Sequence, residues 1–181
     1  MARAPGMTAA ARMPDPGLRL LPVLLALLVG AGGCRGDGDL SSLGLRYEAP
    51  RGMTYLADAP FSREASGGAI RGRRASFSGG LSLEVLEGLS VPLGMPTDEL
   101  LPALGLVLPG RVMDRRQGQL GLGPCVRVEL KDEDLRTMIY AVPLGGMRTL
   151  VVQYQAPSSA YGSGSAAVER SLGTLARLPP G

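Results

Sequence analysis

The side chains of this sequence that could act as nucleophiles are few, and the usual base does not accompany them. The chain has 181 residues with two cysteines, Cys34 and Cys125, one lysine, Lys131, and no histidine. An imidazole mechanism is therefore excluded, and a catalytic thiol has no partner of the usual kind to activate it. Lys131 is followed by three acidic residues, which do not favour a neutral amine. Neither G-x-S-x-G nor S-x-x-K occurs, so serine hydrolase chemistry is not expected.

Two further patterns suggest ligand binding, but each has a simpler interpretation. Residues 131–134 (KDED) offer carboxylates to a divalent cation, yet adjacent acids in a turn are more often a solvated loop. Residues 162–167 (GSGSAA) follow a predicted strand and precede a predicted helix, as in a dinucleotide-binding fingerprint, but no second parallel strand follows. We expect the glycines to lie in a loop and Ser165 to cap the helix, with a weak anion site at that helix start as the alternative.

The strongest candidate for chemistry is Cys34, because of the segment before it. Residues 20–29 (LLPVLLALLV) are apolar. This run is shorter than the roughly 20 residues of a membrane-spanning helix. Its length, and the arginines that precede it, are typical of a signal peptide, whose translation could start at Met1, Met7 or Met13.

The residues that follow this run, Ala31, Gly32, Gly33 and Cys34, resemble the lipobox of bacterial lipoproteins. The resemblance implies that residues 1–33 are removed and that Cys34 carries a diacylglyceryl and acyl anchor. Several acyl chains hold a protein stably on a membrane. Residues 34–43 are then a flexible polar tether. The alternative is an ordinary cleaved signal in which the cysteine has no role.

With Cys34 modified, Cys125 has no partner for a disulfide. By strand alternation Cys125 shares a side with Arg127 and Glu129. We expect it to be a small, inert strand residue.

Positive charge is almost entirely arginine and is concentrated at two places. Arg71, Arg73 and Arg74 form one cluster, and residues 115–116 form a second. Both could contact the anionic headgroups of the membrane that holds the tether. The alternative is that they are exposed strand charges that discourage edge-to-edge pairing.

The net charge argues against a nucleic-acid partner. The formal charge is +3, but residues 1–33 contribute three arginines against one aspartate, which leaves a net +1 for the remainder. Because phosphate binding depends on clustered positive charge, a near-neutral domain without a basic stripe is not expected to bind nucleic acid.

The strand pattern predicts an α+β domain at residues 44–181. Alternation favours a strand at 43–50 and a short one at 53–56, whereas the polar residues 57–68 are predicted to be a loop. A hairpin at Ser78-Gly79-Gly80 and a C-terminal antiparallel meander follow, for about six to eight strands in all. Their predicted strands are 69–77, 81–86, 112–117, 125–130, 135–142 and 147–155.

Two helices are expected to pack on this sheet. The first begins near Thr97 or Asp98, is limited by Pro102 and ends at residues 109–110. The second runs from Ser165 to Leu178, with one apolar stripe facing the sheet. The stripe consists of Val168, Leu172, Leu175 and Leu178.

This order of elements resembles the PsbP-like family of α/β sandwiches. The resembling residues are 47–52 (YEAPRG), the strand pairs, and a closing segment that contains Tyr154, Tyr161 and residues 168–172 (VERSL). The family includes a photosystem extrinsic subunit, a Ran-binding import factor and many bacterial lipoproteins. The resemblance implies a sandwich fold and a partner-binding role, and it transfers no catalytic residue.

The leading hypothesis is therefore a non-enzymatic, lipid-anchored module outside the cytoplasm, on the cell membrane or outer membrane of a bacterium, that binds an envelope protein. No catalytic residue, metal or cofactor is predicted. The alternative is a carrier of a small or lipidic ligand, which requires an enclosed apolar pocket between sheet and helix. An enzyme would require acids such as Asp98, Glu99 and Glu129 to converge in a cleft.

Overall fold

An antiparallel sheet of seven strands forms the centre of the domain. The computed structural model describes residues 40–179. A short ladder joins β1 (Leu45–Arg46) to β9 (Ala176–Arg177), and the helices are α1 (Thr97–Ala103) and α2 (Ser158–Leu172). The large sheet contains β2 (Tyr55–Ala65), β3 (Gly68–Phe77), β4 (Leu81–Glu87), β5 (Arg111–Leu120), β6 (Gly123–Asp132), β7 (Leu135–Gly145) and β8 (Arg148–Pro157). The predicted α+β class, with its C-terminal meander and two helices, is confirmed.

The large sheet consists of two meanders that meet at its centre. Its strand order is β2-β3-β4-β8-β7-β6-β5, so β4 pairs with β8 and the edges are β2 and β5. The hairpin about Ser78-Gly79-Gly80 is present between β3 and β4. Strand pairing aligns Arg71, Glu87 and Arg148 in one row across β3, β4 and β8.

Both faces of the sheet are covered, which explains why β6, β7 and β8 are buried over most of their length. On the face that we call the α2 face, Val168 and Leu172 belong to the same core as Val152. On the opposite α1 face, Leu100 shares a core with Val128. Apolar side chains on both sides of each strand are therefore removed from water, and this burial is the main stabilising contribution.

Two predictions for the N-terminal half are wrong. Residues 57–68 are not a loop, because β2 covers most of that range and pairs with β3. As an edge strand, β2 buries little of its surface, so its polar sequence lacks the alternation that identifies a strand. The predicted first strand at 43–50 is reduced to β1, which follows a 3-10 turn at Ser41–Leu43.

The helix boundaries also differ from the predictions. Helix α2 begins at Ser158 and ends at Leu172, so the glycines of residues 162–167 lie inside the helix rather than in a loop. Ser165 is not a cap: it is buried in the middle of α2 and donates a hydrogen bond to the carbonyl of Gly162 at 3.2 Å. Leu178 lies beyond the helix and is 36% exposed, outside the buried stripe. Helix α1 ends at Ala103, before the predicted stop.

Candidate functional site

The arginine cluster predicted from the sequence is divided between the two faces of the sheet. Alternation along β3 places Arg71 and Arg73 on the α2 face and Arg74 on the α1 face. Arg73 forms an ion pair with Asp58 at 3.1 Å. The three side chains therefore do not form one continuous surface, and their contact with headgroups stays a prediction.

Arg74 instead belongs to a buried ion-pair cluster on the α1 face. Glu84 is completely buried, and its carboxylate lies 2.8 Å from Arg63 of β2 and 2.5 Å from Arg74. Both guanidinium groups lie over the ring of Phe61, at 5.0 and 5.3 Å from its centroid. A buried carboxylate is tolerated only when opposite charge compensates its desolvation, so this cluster fixes β2 to β4 across β3.

A second charged network joins α2 to the sheet. Arg127 of β6 contacts Asp114, Glu129 and Glu169, each at 2.9 Å. Arg136 pairs with Glu129 from the other side. Arg116, 3.5 Å from Glu169, is a third arginine that balances the three carboxylates. Since these groups neutralise one another at a helix-sheet contact, their arrangement is that of a structural ion network.

Tyr140 adds a hydroxyl to the same network. It donates a hydrogen bond to Glu169 at 3.0 Å. Burial, followed by the charge of Glu169, raises the pKa of Tyr140 to about 12. The phenol is therefore a neutral hydrogen-bond donor at physiological pH.

The acids whose convergence would favour an enzyme do not meet. Asp98 and Glu99 are exposed in the first turn of α1, whereas Glu129 lies on the α2 face, on the other side of the sheet. Cys125 is 1% exposed, and burial raises the pKa of its thiol, which disfavours the thiolate. Lys131 and Asp132 end β6, and Glu133 and Asp134 form the β6–β7 turn. Within residues 40–179 no group of three His, Cys, Asp or Glu side chains is placed to hold a metal.

A basic surface lies where the described chain begins. Arg148 and Arg177 line a groove of about 450 Å³ together with leucines of the N-terminal turn. Arg148 also lines an adjoining cavity of about 100 Å³ with Arg73 and Glu87, and Arg71 lies beside Glu87 in the same row of the sheet. We call Arg71, Arg73, Arg148 and Arg177 the basic surface. Sequence reasoning missed half of this set because Arg148 and Arg177 are isolated in the sequence.

An apolar patch lies at the opposite end of the sheet, beside edge strand β5. Its members are Val112 and Met113 of β5 and Leu135 of β7, which are 47%, 44% and 41% exposed. Val112 pairs with Leu130 and Leu135 pairs with Asp132, which places both at the same corner of the sheet. We call these three residues the β5-edge patch. The alternation of β5 did not reveal it, because a bulge between Val112 and Asp114 interrupts the strand register.

The predicted lipidation site, Cys34, and the residues before it, Ala31, Gly32 and Gly33, lie outside the described residues. Within residues 40–179, no helix is long and apolar enough to cross a bilayer. The sequence matches no protein-family model, and it has no significant match among curated proteins.

Proposed function

We propose that this protein is a lipid-anchored lipoprotein of the bacterial envelope, held outside the cytoplasm by an acylated Cys34. Its domain acts as a non-enzymatic module that binds a partner protein through the β5-edge patch. The apolar run and small residues before Cys34 support the anchor. The PsbP-like resemblance supports a partner-binding domain.

The observation that carries the proposal is the exposure of apolar side chains at one sheet edge. Large exposed hydrophobic residues that gather at one place mark interaction sites more often than scattered ones. The edge strand beside them also presents unpaired backbone groups to which an extended segment of a partner can add. We infer that the partner contributes such a segment, with apolar side chains that cover Val112 and Met113.

The charged residues of β5 support this use of the edge. Charges commonly protect an edge strand from pairing with other chains. Here, however, Asp114 is engaged with Arg127 at 2.9 Å, and Arg115 donates a hydrogen bond to the carbonyl of Met95 at 2.8 Å. Because both side chains contact their own domain, they leave the edge accessible.

The location of the patch also fits a module held on a membrane. Strand pairing aligns Arg111 at the start of β5 with Lys131, Arg136 and then Ala156 of β8. Arg148, which belongs to the basic surface, lies at the opposite end of β8. A strand rises about 3.3 Å per residue, so the two ends of β8 are separated by roughly 25 Å. The β5-edge patch is thus remote from the point where the described chain begins.

The carrier alternative has weaker support. It requires an enclosed cavity between sheet and helix, but Val168 and Leu172 of α2 and Val152 of the sheet are all 0% exposed. The groove of about 450 Å³ is lined by residues of the N-terminal turn, by Arg148 and by residues 177–179 rather than by residues of α2. A second cavity, of about 570 Å³, lies between α2 and residues 48–51, where Glu48, Arg51 and Arg170 make its lining polar, and not between α2 and the sheet. A packed core with an exposed apolar patch favours the binding module.

Site-specific photocrosslinking in the native cells tests the binding module. A benzoylphenylalanine at Met113 is expected to give one discrete adduct with a partner protein. The matched control is Leu56, which is 61% exposed and lies at an irregularity in β2, the other edge strand. The partner identified by mass spectrometry is then purified, and we expect Val112→Asp to weaken its binding at least about tenfold, while Leu56→Asp leaves it unchanged.

The two parts of the proposal fail separately. Equal crosslinking from Met113 and Leu56, or binding that Val112→Asp does not weaken, overturns the role of the β5-edge patch. Mass spectrometry of the mature N-terminus tests the anchor by itself. A terminus other than acylated Cys34 overturns the lipoprotein assignment.

A further inference from the structure

We propose that the basic surface rests on the anionic phospholipid headgroups of the membrane that carries the anchor, so that the domain has one preferred orientation. This inference rests on the proposed acylation of Cys34. It differs from the headgroup contact predicted from the sequence, because Arg74 is engaged with Glu84 on the opposite face and Arg148 and Arg177 take its place.

The length of the tether limits how far this surface can be from the bilayer. Six peptide steps lead from Cys34 to Leu40, the first described residue. Even a fully extended chain spans only about 3.6 Å per residue, so Leu40 lies within about 22 Å of the lipidated cysteine. Leu40 is 1% exposed in the α2-face core, which fixes the tether to the domain at this point.

The basic surface lies immediately beside this attachment point. Ser41, Leu43 and Leu45 line the same groove as Arg148 and Arg177. Ser42 lines the adjoining cavity with Arg73 and Arg148. The short tether therefore brings these arginines to the membrane, whereas the β5-edge patch at the other end of the strands is turned away from it.

The charge and shape of the surface fit phospholipid headgroups. Its four arginines are accompanied by the carboxylates of Glu87 and Asp58, which leaves an excess of positive charge. Guanidinium groups bind phosphate oxygens with paired hydrogen bonds. Arg177 uses one donor on the carbonyl of Leu144, at 2.5 Å. Leu178, which is 36% exposed beside Arg177, provides an apolar contact of the kind found at the headgroup–acyl boundary.

Hydrogen exchange of the native acylated protein in vesicles tests the orientation. Vesicles of phosphatidylcholine alone are compared with vesicles that also contain phosphatidylglycerol. We expect amides in residues 40–46, 144–149 and 175–178 to exchange at least about fivefold more slowly on the anionic vesicles, since a single arginine near such a surface already has an effect of about this size. Amides of β5 should exchange equally on both, and added salt should reduce the protection.

Charge reversal provides the matched comparison. The double variant Arg148→Glu with Arg177→Glu should abolish the protection. The control is Arg51→Glu with Arg111→Glu, which makes the same charge change at exposed residues outside the basic surface. This control should retain the protection. If the N-terminus is acylated but protection is equal on both vesicles, or if both double variants lose it equally, this inference is wrong and the anchor stands. An unacylated Cys34 overturns the anchor and this inference together.

Discussion

Tyr47 is a single side chain that fixes the N-terminal segment to helix α2. It is 2% exposed, and its ring meets that of Phe77 edge to face at 5.7 Å. Its hydroxyl lies 2.7 Å from the hydroxyl oxygen of Ser171. Since Ser171 donates its own proton to the carbonyl of Val168 at 2.7 Å, Tyr47 is the donor in this pair. Burial raises the pKa of Tyr47 to about 12.

This raised pKa predicts how stability changes in alkaline solution. Below pH 10, Tyr47 is protonated in both the folded and the unfolded state, so its contribution is fully present. Between pH 10 and about pH 12 only the unfolded state loses the proton, and the free energy of unfolding therefore falls. A difference of about two pKa units corresponds to roughly 2–3 kcal/mol at the upper end of this range.

The variant Tyr47→Phe isolates this contribution. At pH 7 it should be less stable than the parent by about 1 kcal/mol, because it lacks the hydrogen bond to Ser171. The difference should shrink above pH 10, reverse before pH 12 once the parent has lost more than about 1 kcal/mol, and then stay constant, as measured by urea unfolding at each pH. Val168→Ala, which removes no titrating group, should keep a constant difference from the parent. A constant difference for Tyr47→Phe as well would contradict the assignment.

Among the elements, α2 depends on a glycine for its close approach to the sheet. A Cβ atom built at Gly164 would overlap the side chain of Tyr154, 2.7 Å from its ζ carbon. Tyr154 is itself buried and stacked on Tyr161, with ring centroids 5.8 Å apart, so it has little room to move. Gly162 has no atom within 4 Å of such a Cβ. The two glycines of one helix therefore have different roles.

Replacement of each glycine by alanine should have opposite effects. Gly162→Ala should stabilise the protein by up to about 1 kcal/mol, because alanine is the better helix former. Gly164→Ala should destabilise it by about 1–3 kcal/mol, because overpacking outweighs the same gain in propensity. Both are measured by urea unfolding followed by circular dichroism. The double variant Gly164→Ala with Tyr154→Phe should recover part of the loss, and equal effects at the two glycines would refute the close approach.

The sequence predicted some of these helices and strands correctly and others incorrectly, for physical reasons. The alternation of β6 and β8, and the glycine turn after β3, predicted those strands because their side chains are sorted between two buried faces. The start of α2 was missed because residues 158–165 (SSAYGSGS) are poor helix formers, and only packing on the sheet makes them helical.

The candidate sites were predicted least well, since they depend on long-range pairing. The neighbours Arg73 and Arg74 were predicted to act together, but alternation places them on opposite faces of β3. The row that joins Arg71, Glu87 and Arg148 depends on the pairing of β4 with β8, which are far apart in the sequence. No local pattern could have revealed this pairing.

At the scale of the whole molecule, one sheet separates two apolar cores. Leu100 belongs to the core of the α1 face and is 1% exposed, and Val168 belongs to that of the α2 face and is 0% exposed. Leu100→Ala should lower the free energy of unfolding by about 3 kcal/mol, within the range for leucine truncation in a core. Val168→Ala should cost about 2 kcal/mol, from the lost burial of two methyl groups and the cavity that remains.

The double variant then tests whether the two cores unfold together. The two side chains share no partner across the sheet, so their effects should add to within about 0.5 kcal/mol. Because β3, β4, β6, β7 and β8 each contribute to both cores, we expect one urea transition whose slope is the same in all four proteins. Two separate transitions, or a slope that falls in one single variant alone, would mean that each helix and its core unfold independently. In that case the sheet would not couple the end of the domain near Leu40 to the β5 edge.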